Sequence, residues 1–146
     1  MLKVLVVEDS VLLADMIEDF LISGGYEVCG IACTIAEAVL LADLHKPDLG
    51  VFDYRLSNGE LSSQIRPLLQ DKTRMGILFA SGDALDTILS DADGEAYIQK
   101  PYGGNDLLKA LAAVQSIKNR TMTNPLYQRG FHLLMPAPAT VKRDAA

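Results

Sequence analysis

Five short apolar runs, each closed by polar residues and each followed by a helical pattern, limit this chain to very few folds. The runs are Leu2–Val7, Val28–Ala32, Asp48–Asp53, Met75–Ala80 and Ala96–Gln99. Each is too short for a buried helix, and the β-branched content favours strands. The runs show little polar alternation, so both faces of such strands must be covered, as in a parallel sheet. The segments between them read as crossovers. Ser10 caps a helix whose apolar positions Leu13, Met16, Ile17, Phe20 and Leu21 recur at three and four residues, and Ser23-Gly24-Gly25 stops it. Thr34-Ile35-Ala36-Glu37 is a capping box, opening a helix to about His45 that Lys46-Pro47 ends.

After the turn Ser57-Asn58-Gly59 a third helix is expected, short or kinked, because Pro67 is tolerated only if Ser62 or Ser63 is the cap. Ala84–Asp91 predicts a short, weak fourth helix. Asn105 caps a fifth, with Leu107, Leu108, Leu111 and Val114 on one side, fading near Lys118. A β-α unit repeated five times with right-handed crossovers gives an α/β fold, a doubly wound (βα)5 three-layer sandwich around a five-stranded parallel sheet.

Ligands of such sheets sit outside the carboxyl ends of the strands. The residues there are informative. Glu8 and Asp9 follow the first strand, Asp53 ends the third, Ser81 follows the fourth, and Lys100-Pro101 follow the fifth. Three carboxylates on one rim repel one another unless a cation compensates. Lys100 supplies one charge. A hard divalent ion with oxygen ligands supplies two, and Mg2+ suits a site of few carboxylates completed by water and phosphate oxygens. A carboxylate beside a lysine, a hydroxyl and such an ion can accept a phosphoryl group as an aspartyl phosphate. Neither G-x-x-x-x-G-K-[ST] nor G-x-G-x-x-G occurs, which argues against a nucleotide held by this domain.

Composition excludes other classes. The chain is 49% hydrophobic with a mean hydropathy of +0.18, enough for a real core. Its longest apolar runs are too short for a transmembrane helix, and the N-terminus turns acidic too soon for a signal peptide, so no membrane role is expected and the cytoplasm is the default location. Net charge is -6, against a nucleic-acid partner. Four cations against one Asp make residues 120–146 mildly basic, and the body correspondingly acidic. Cys29, Cys33, His45 and His132 have neither the spacing nor the pairing of a zinc site, and they read as having no role.

Four stretches resemble one family, the receiver domain of two-component response regulators of the single-domain, CheY-like type. These are VLVVEDS (4–10), GVFDYRLSNGE (50–60), GILFASGD (76–83) and AYIQKPY (96–102). The resemblance spans about residues 1–119 and implies the flavodoxin-like strand order 2-1-3-4-5. It implies that Asp53 accepts a phosphoryl group from a sensor histidine kinase or a histidine phosphotransfer protein. Glu8, Asp9 and Asp53 would hold Mg2+ with the backbone carbonyl of Arg55. Ser81 would bond a phosphoryl oxygen, Lys100 would pair with the phosphoryl group, and the Lys100–Pro101 bond would be cis. Tyr97 would be the aromatic that follows the shift of Ser81. The family's changing face would be roughly residues 84–118, giving output to an unknown downstream protein.

The sequence departs from the common pattern in three places. Arg55 lies two residues past the acceptor, Asp83 two residues past Ser81, and Tyr102 stands where Phe is usual. Arg55 and Asp83 are expected to pair across the pocket mouth and alter the lifetime of the phosphorylated state. Two alternatives are a docking module that is never phosphorylated and a phosphohydrolase that turns over an aspartyl phosphate. Intact Glu8, Asp9, Asp53, Ser81 and Lys100 argue against the first. The second needs another acid two residues past Asp53, where Arg55 stands, so a turnover enzyme is not expected. Residues 120–146 are too few for a helix-turn-helix output domain. They form a tail expected to be disordered beyond Pro136. Its apolar piece Phe131–Met135 is expected to pack as an arm on the receiver or on a second copy in a homodimer.

Overall fold

The computed structural model describes residues 1–120 and 130–137. Strands β1 (Lys3–Val7), β2 (Glu27–Ala32), β3 (Leu49–Asp53), β4 (Gly76–Ser81) and β5 (Ala96–Gln99) are mutually parallel in the order β2-β1-β3-β4-β5. The expected doubly wound arrangement is therefore present. Period two divides the strand residues between two cores. Val4, Val6, Val51, Leu78 and Ile98 face helices α1 (Val11–Ser23) and α3 (Gly104–Asn119). Leu5, Val7, Phe52, Ile77 and Tyr97 face the other side, which helix α2 (Ile35–His45) covers in part.

Local chemistry sets the helix ends. The Ser10 and Thr34 hydroxyls accept from the N–H groups of Leu13 and Glu37. Lys46 closes α2 in the left-handed region at φ 52°, next to Pro47. The α3 cap falls two residues earlier than expected. Gly103 is the N-cap, and its N–H donates to the Asp106 carboxylate at 3.0 Å. Gly104 lets α3 approach α1, because a Cβ there would lie 2.5 Å from Phe20 Cδ1.

Three expectations need correction. Between β3 and β4 there is no α-helix but two 3-10 turns, Ser62–Gln64 and Arg66–Leu68. Pro67 lies inside the second turn, where it leaves too few good helical positions for a longer element. Residues 84–95, between β4 and β5, form turns without a helix.

Among the described residues the sheet has six strands, not five. Strand β6 (Phe131–Leu133) lies antiparallel on β5, with Tyr97 opposite His132. The apolar piece of the tail thus packs on its own chain. Its Phe131 and Leu134 are each 5% exposed, enough buried area to favour docking over solvent. The expectation of disorder beyond Pro136 falls, from residue 138 on, outside the described residues.

A buried ion pair replaces part of what the missing helices would supply. Arg66 Nη2 lies 2.7 Å from Glu95 Oε1, with both side chains close to fully buried. Arg66 also donates to the Met75 carbonyl, and the Ile77 N–H donates to the same Glu95 oxygen at 2.7 Å. The pair ties the β3–β4 crossover to the start of β5.

Candidate functional site

The carboxyl ends of β1, β3, β4 and β5 bring the expected residues to one rim. Carboxylate oxygens of Glu8, Asp9 and Asp53 lie within 4.8 Å of one another. Glu8 is buried, while Asp9 and Asp53 are half-buried. Lys100 Nζ lies 2.7 Å from Asp53 Oδ1 and supplies the compensating charge. Ser81 is buried at the end of β4, and its Oγ accepts from the Asp83 N–H at 3.0 Å. The Lys100 N–H donates to the Ser81 carbonyl at 2.8 Å, so the two residues are linked through backbone. The Lys100–Pro101 bond is cis.

Each acid has its own environment. Burial pushes the Glu8 carboxyl above its ordinary value. The Ser10 N–H, bonded at 3.0 Å, and Lys100 oppose this, while the charges of Asp53 and Asp9 add to it. Asp9 is held below the usual carboxylate range, first by the Ser57 hydroxyl and also by the Ser57 N–H. Tyr102 is pushed up to about 12 by its burial and by the charges of Glu8 and Asp53.

The all-oxygen donor set, its excess negative charge and its half-open position fit a hard divalent cation. Beside it lies an apolar cleft of about 240 Å³, with Leu13, Met16, Phe20, Pro101 and Tyr102 around Glu8 and Lys100.

Of the remaining expected residues, Arg55 follows β3 close to the rim, whereas Tyr97 lies inside the sheet opposite Phe79. Arg55 Nε lies 3.1 Å from Asp83 Oδ2, the pairing expected from sequence, and both side chains are more than half exposed. The Arg55 guanidinium also sits 5.5 Å from the centre of the Tyr54 ring. Tyr97 is fully buried on β5. His132 is not without contacts: its ring stacks on Tyr97 with centroids 4.8 Å apart and planes at 15°. Ser57 and His132 were not legible as site neighbours. Ser57 read as a turn residue, and the contact of His132 depends on a strand pairing across 35 residues of sequence.

Three acids, a hydroxyl and a lysine thus gather at the carboxyl rim of the parallel strands, the arrangement expected of a receiver domain. The family model for the response regulator receiver domain matches residues 4–112. The chain belongs to the response regulator receiver family of two-component signalling.

Among curated relatives, it is 26% identical over 159 residues to the transcriptional regulatory protein PdtaR of Mycobacterium tuberculosis, covering 98% of this chain and 78% of that one. It is 26% identical over 112 residues to the chemotaxis protein CheY of Bacillus subtilis, covering 75% and 93%. Its fold is similar to a CheY-like receiver from Methanospirillum hungatei, with a TM-score of 0.71 at 23% identity, covering 84% and 99%. The response regulator PhyR of Brucella abortus gives a TM-score of 0.67 at 26% identity, covering 82% of this chain but 49% of that one. Receiver proteins of this kind act in signalling and are not typical turnover enzymes. Among the described residues, no helix is long and apolar enough to cross a membrane.

Proposed function

We propose that the protein is a phosphorylation-dependent switch in which Asp53 accepts a phosphoryl group from a phosphohistidine of a sensor kinase or a phosphotransfer protein. The observation that carries this reading is the Asp53–Lys100 contact of 2.7 Å beside Glu8 and Asp9. An oxygen of Asp53 attacks phosphorus, an O–P bond forms, and the P–N bond of the donor breaks. The donor imidazole leaves with the electron pair and takes up a proton. Lys100 turns from the carboxylate to a phosphoryl oxygen, and the Ser81 hydroxyl donates a hydrogen bond to another.

Glu8, Asp9 and Asp53 would hold Mg2+, with the Arg55 carbonyl completing the protein ligands. The bound ion would offset negative charge on the phosphoryl oxygens. The apolar cleft beside Glu8 and Lys100 gives a donor protein a surface to lie on while its histidine reaches Asp53. Output passes by contact to a downstream protein. In this reading residues 1–119 are the receiver, residues 120–146 are an appended tail, and the protein works in the cytoplasm.

Mass spectrometry after incubation with Mg2+ and a small acyl phosphate tests the proposal. One phosphoryl adduct is expected, lost in Asp53→Asn and lost in chelator. An adduct that persists in Asp53→Asn overturns the assignment.

A further inference from the structure

Residues Gly130–Met135 are fitted to the sheet on both sides. Phe131 and Leu133 join the core facing α1 and α3, while Leu134 joins the opposite core, where His132 stacks on Tyr97. Backbone bonds hold the segment along its length. The Gln99 N–H donates to the Gly130 carbonyl at 2.9 Å, and the Leu134 N–H to the Glu95 carbonyl at 3.0 Å. The Asp91 N–H donates to the Met135 carbonyl at 2.9 Å. His132 Nε2 lies 3.3 Å from Gln99 Oε1. The residue after Gln99 is Lys100, which reaches Asp53 through its amine and Ser81 through its N–H. A continuous set of contacts therefore runs from the candidate acceptor to β6.

We propose that Gly130–Met135 is a tethered strand that docks on β5 in the unmodified protein and is released when Asp53 carries a phosphoryl group, freeing the β5 edge for an extended segment of a partner protein. This rests on the reading of Asp53 as acceptor. The docked strand fits an arrangement in which Lys100 bonds Asp53 and the Ser81 hydroxyl accepts from Asp83. A phosphoryl group claims both Lys100 and Ser81. It therefore displaces the two residues bonded to each other next to Gln99, where β6 begins its hydrogen bonding. Docking opposes that displacement, and by linkage the displacement weakens docking by the same factor. A three-residue strand at a sheet edge belongs to the low-stability end of a fold, so a modest coupling suffices to release it. The vacated edge offers unpaired backbone groups and two slots on opposite faces, left by Phe131 and Leu134. It therefore suits an extended segment with apolar side chains three residues apart.

Amide hydrogen exchange on the full chain in Mg2+, with and without beryllofluoride as phosphoryl mimic, tests the proposal. Fluorine resonance reports binding at Asp53, with Asp53→Asn as the control. The amides of Gln99 and Leu134 are expected to exchange at least ~10-fold faster when the mimic is bound. Bound fluoride with unchanged or greater protection overturns the release while leaving the acceptor intact. No bound fluoride overturns the acceptor reading and the release together. Linkage also requires Leu134→Ser to bind beryllofluoride about 5-fold or more tightly, and equal affinity overturns the proposal.

Discussion

Replacing Glu8 by Gln isolates the electrostatic cost of the rim. Glu8 is 4% exposed, and its carboxylate lies within 4.8 Å of those of Asp9 and Asp53. Two unit charges at that spacing repel by about 3 kcal/mol at the effective dielectric of a protein surface. Glu8 feels two such repulsions and one attraction, to Lys100, which offsets roughly one of them. Water around Asp9 and Lys100 weakens what is left, so Glu8→Gln should stabilise the metal-free protein by about 1–2 kcal/mol near pH 7. For a domain of this size that is a rise in Tm of about 3–8 °C.

The sign with pH follows from the direction of the Glu8 shift. Its pKa in the fold is raised above 4.5, so its contribution is fully present below that value and is lost as pH rises through the folded value. In chelator, the parent should lose stability across that window relative to Glu8→Gln. Mg2+ should reverse the ranking, stabilising the parent and leaving the variant nearly unchanged. Thermal unfolding across pH, in chelator and in Mg2+, measures all of this. A variant no more stable than the parent in chelator, or one that keeps the full Mg2+ stabilisation, would refute the reasoning.

Two further outcomes follow from pairs seen in the structure. Because Arg55 and Asp83 are largely exposed, Arg55→Ala should leave stability within about 1 kcal/mol of the parent. If Asp53 is the acceptor, the same change should shorten the life of the phosphorylated state about 3- to 10-fold by uncovering the pocket mouth. An unchanged dephosphorylation rate sinks the screening role. Arg66→Ala strands Glu95 in a nearly closed site and should cost about 3–5 kcal/mol in urea unfolding, and a loss below about 1 kcal/mol would mean that water reaches the pair.

The rim was legible because its residues sit at fixed offsets from strands that are plain in the sequence. Asp53, Ser81 and Lys100 each end or follow a run that could only be a buried strand, and β-α alternation then forces their ends together. The Arg55–Asp83 pair followed from the same geometry. The missing helices were harder to read. Their patterns were weak, and the structure closes that region with the Arg66–Glu95 pair, a contact between residues 29 apart with no local signature. Strand β6 was equally hidden. Phe131–Leu133 announces itself as apolar, but its place on β5 depends on an edge that exists only after the other five strands have assembled. The same holds for His132, whose meaning comes entirely from facing Tyr97.

The uneven cover of the sheet has a mechanical consequence. On one face lie α1 and α3, 13 and 16 residues long, locked together through Gly104 and Phe20. On the other, beyond α2, the described residues wrap β4 and β5 with turns, the Arg66–Glu95 ion pair and the end of a short strand. Long hydrogen-bonded helices behave as stiff beams, whereas turns give way at their dihedrals. A push applied at Asp53 should therefore be resisted on the beam side and taken up on the thin side. If Asp53 takes a phosphoryl group, this asymmetry would turn the resulting displacement toward the thinly covered face rather than toward α1 and α3.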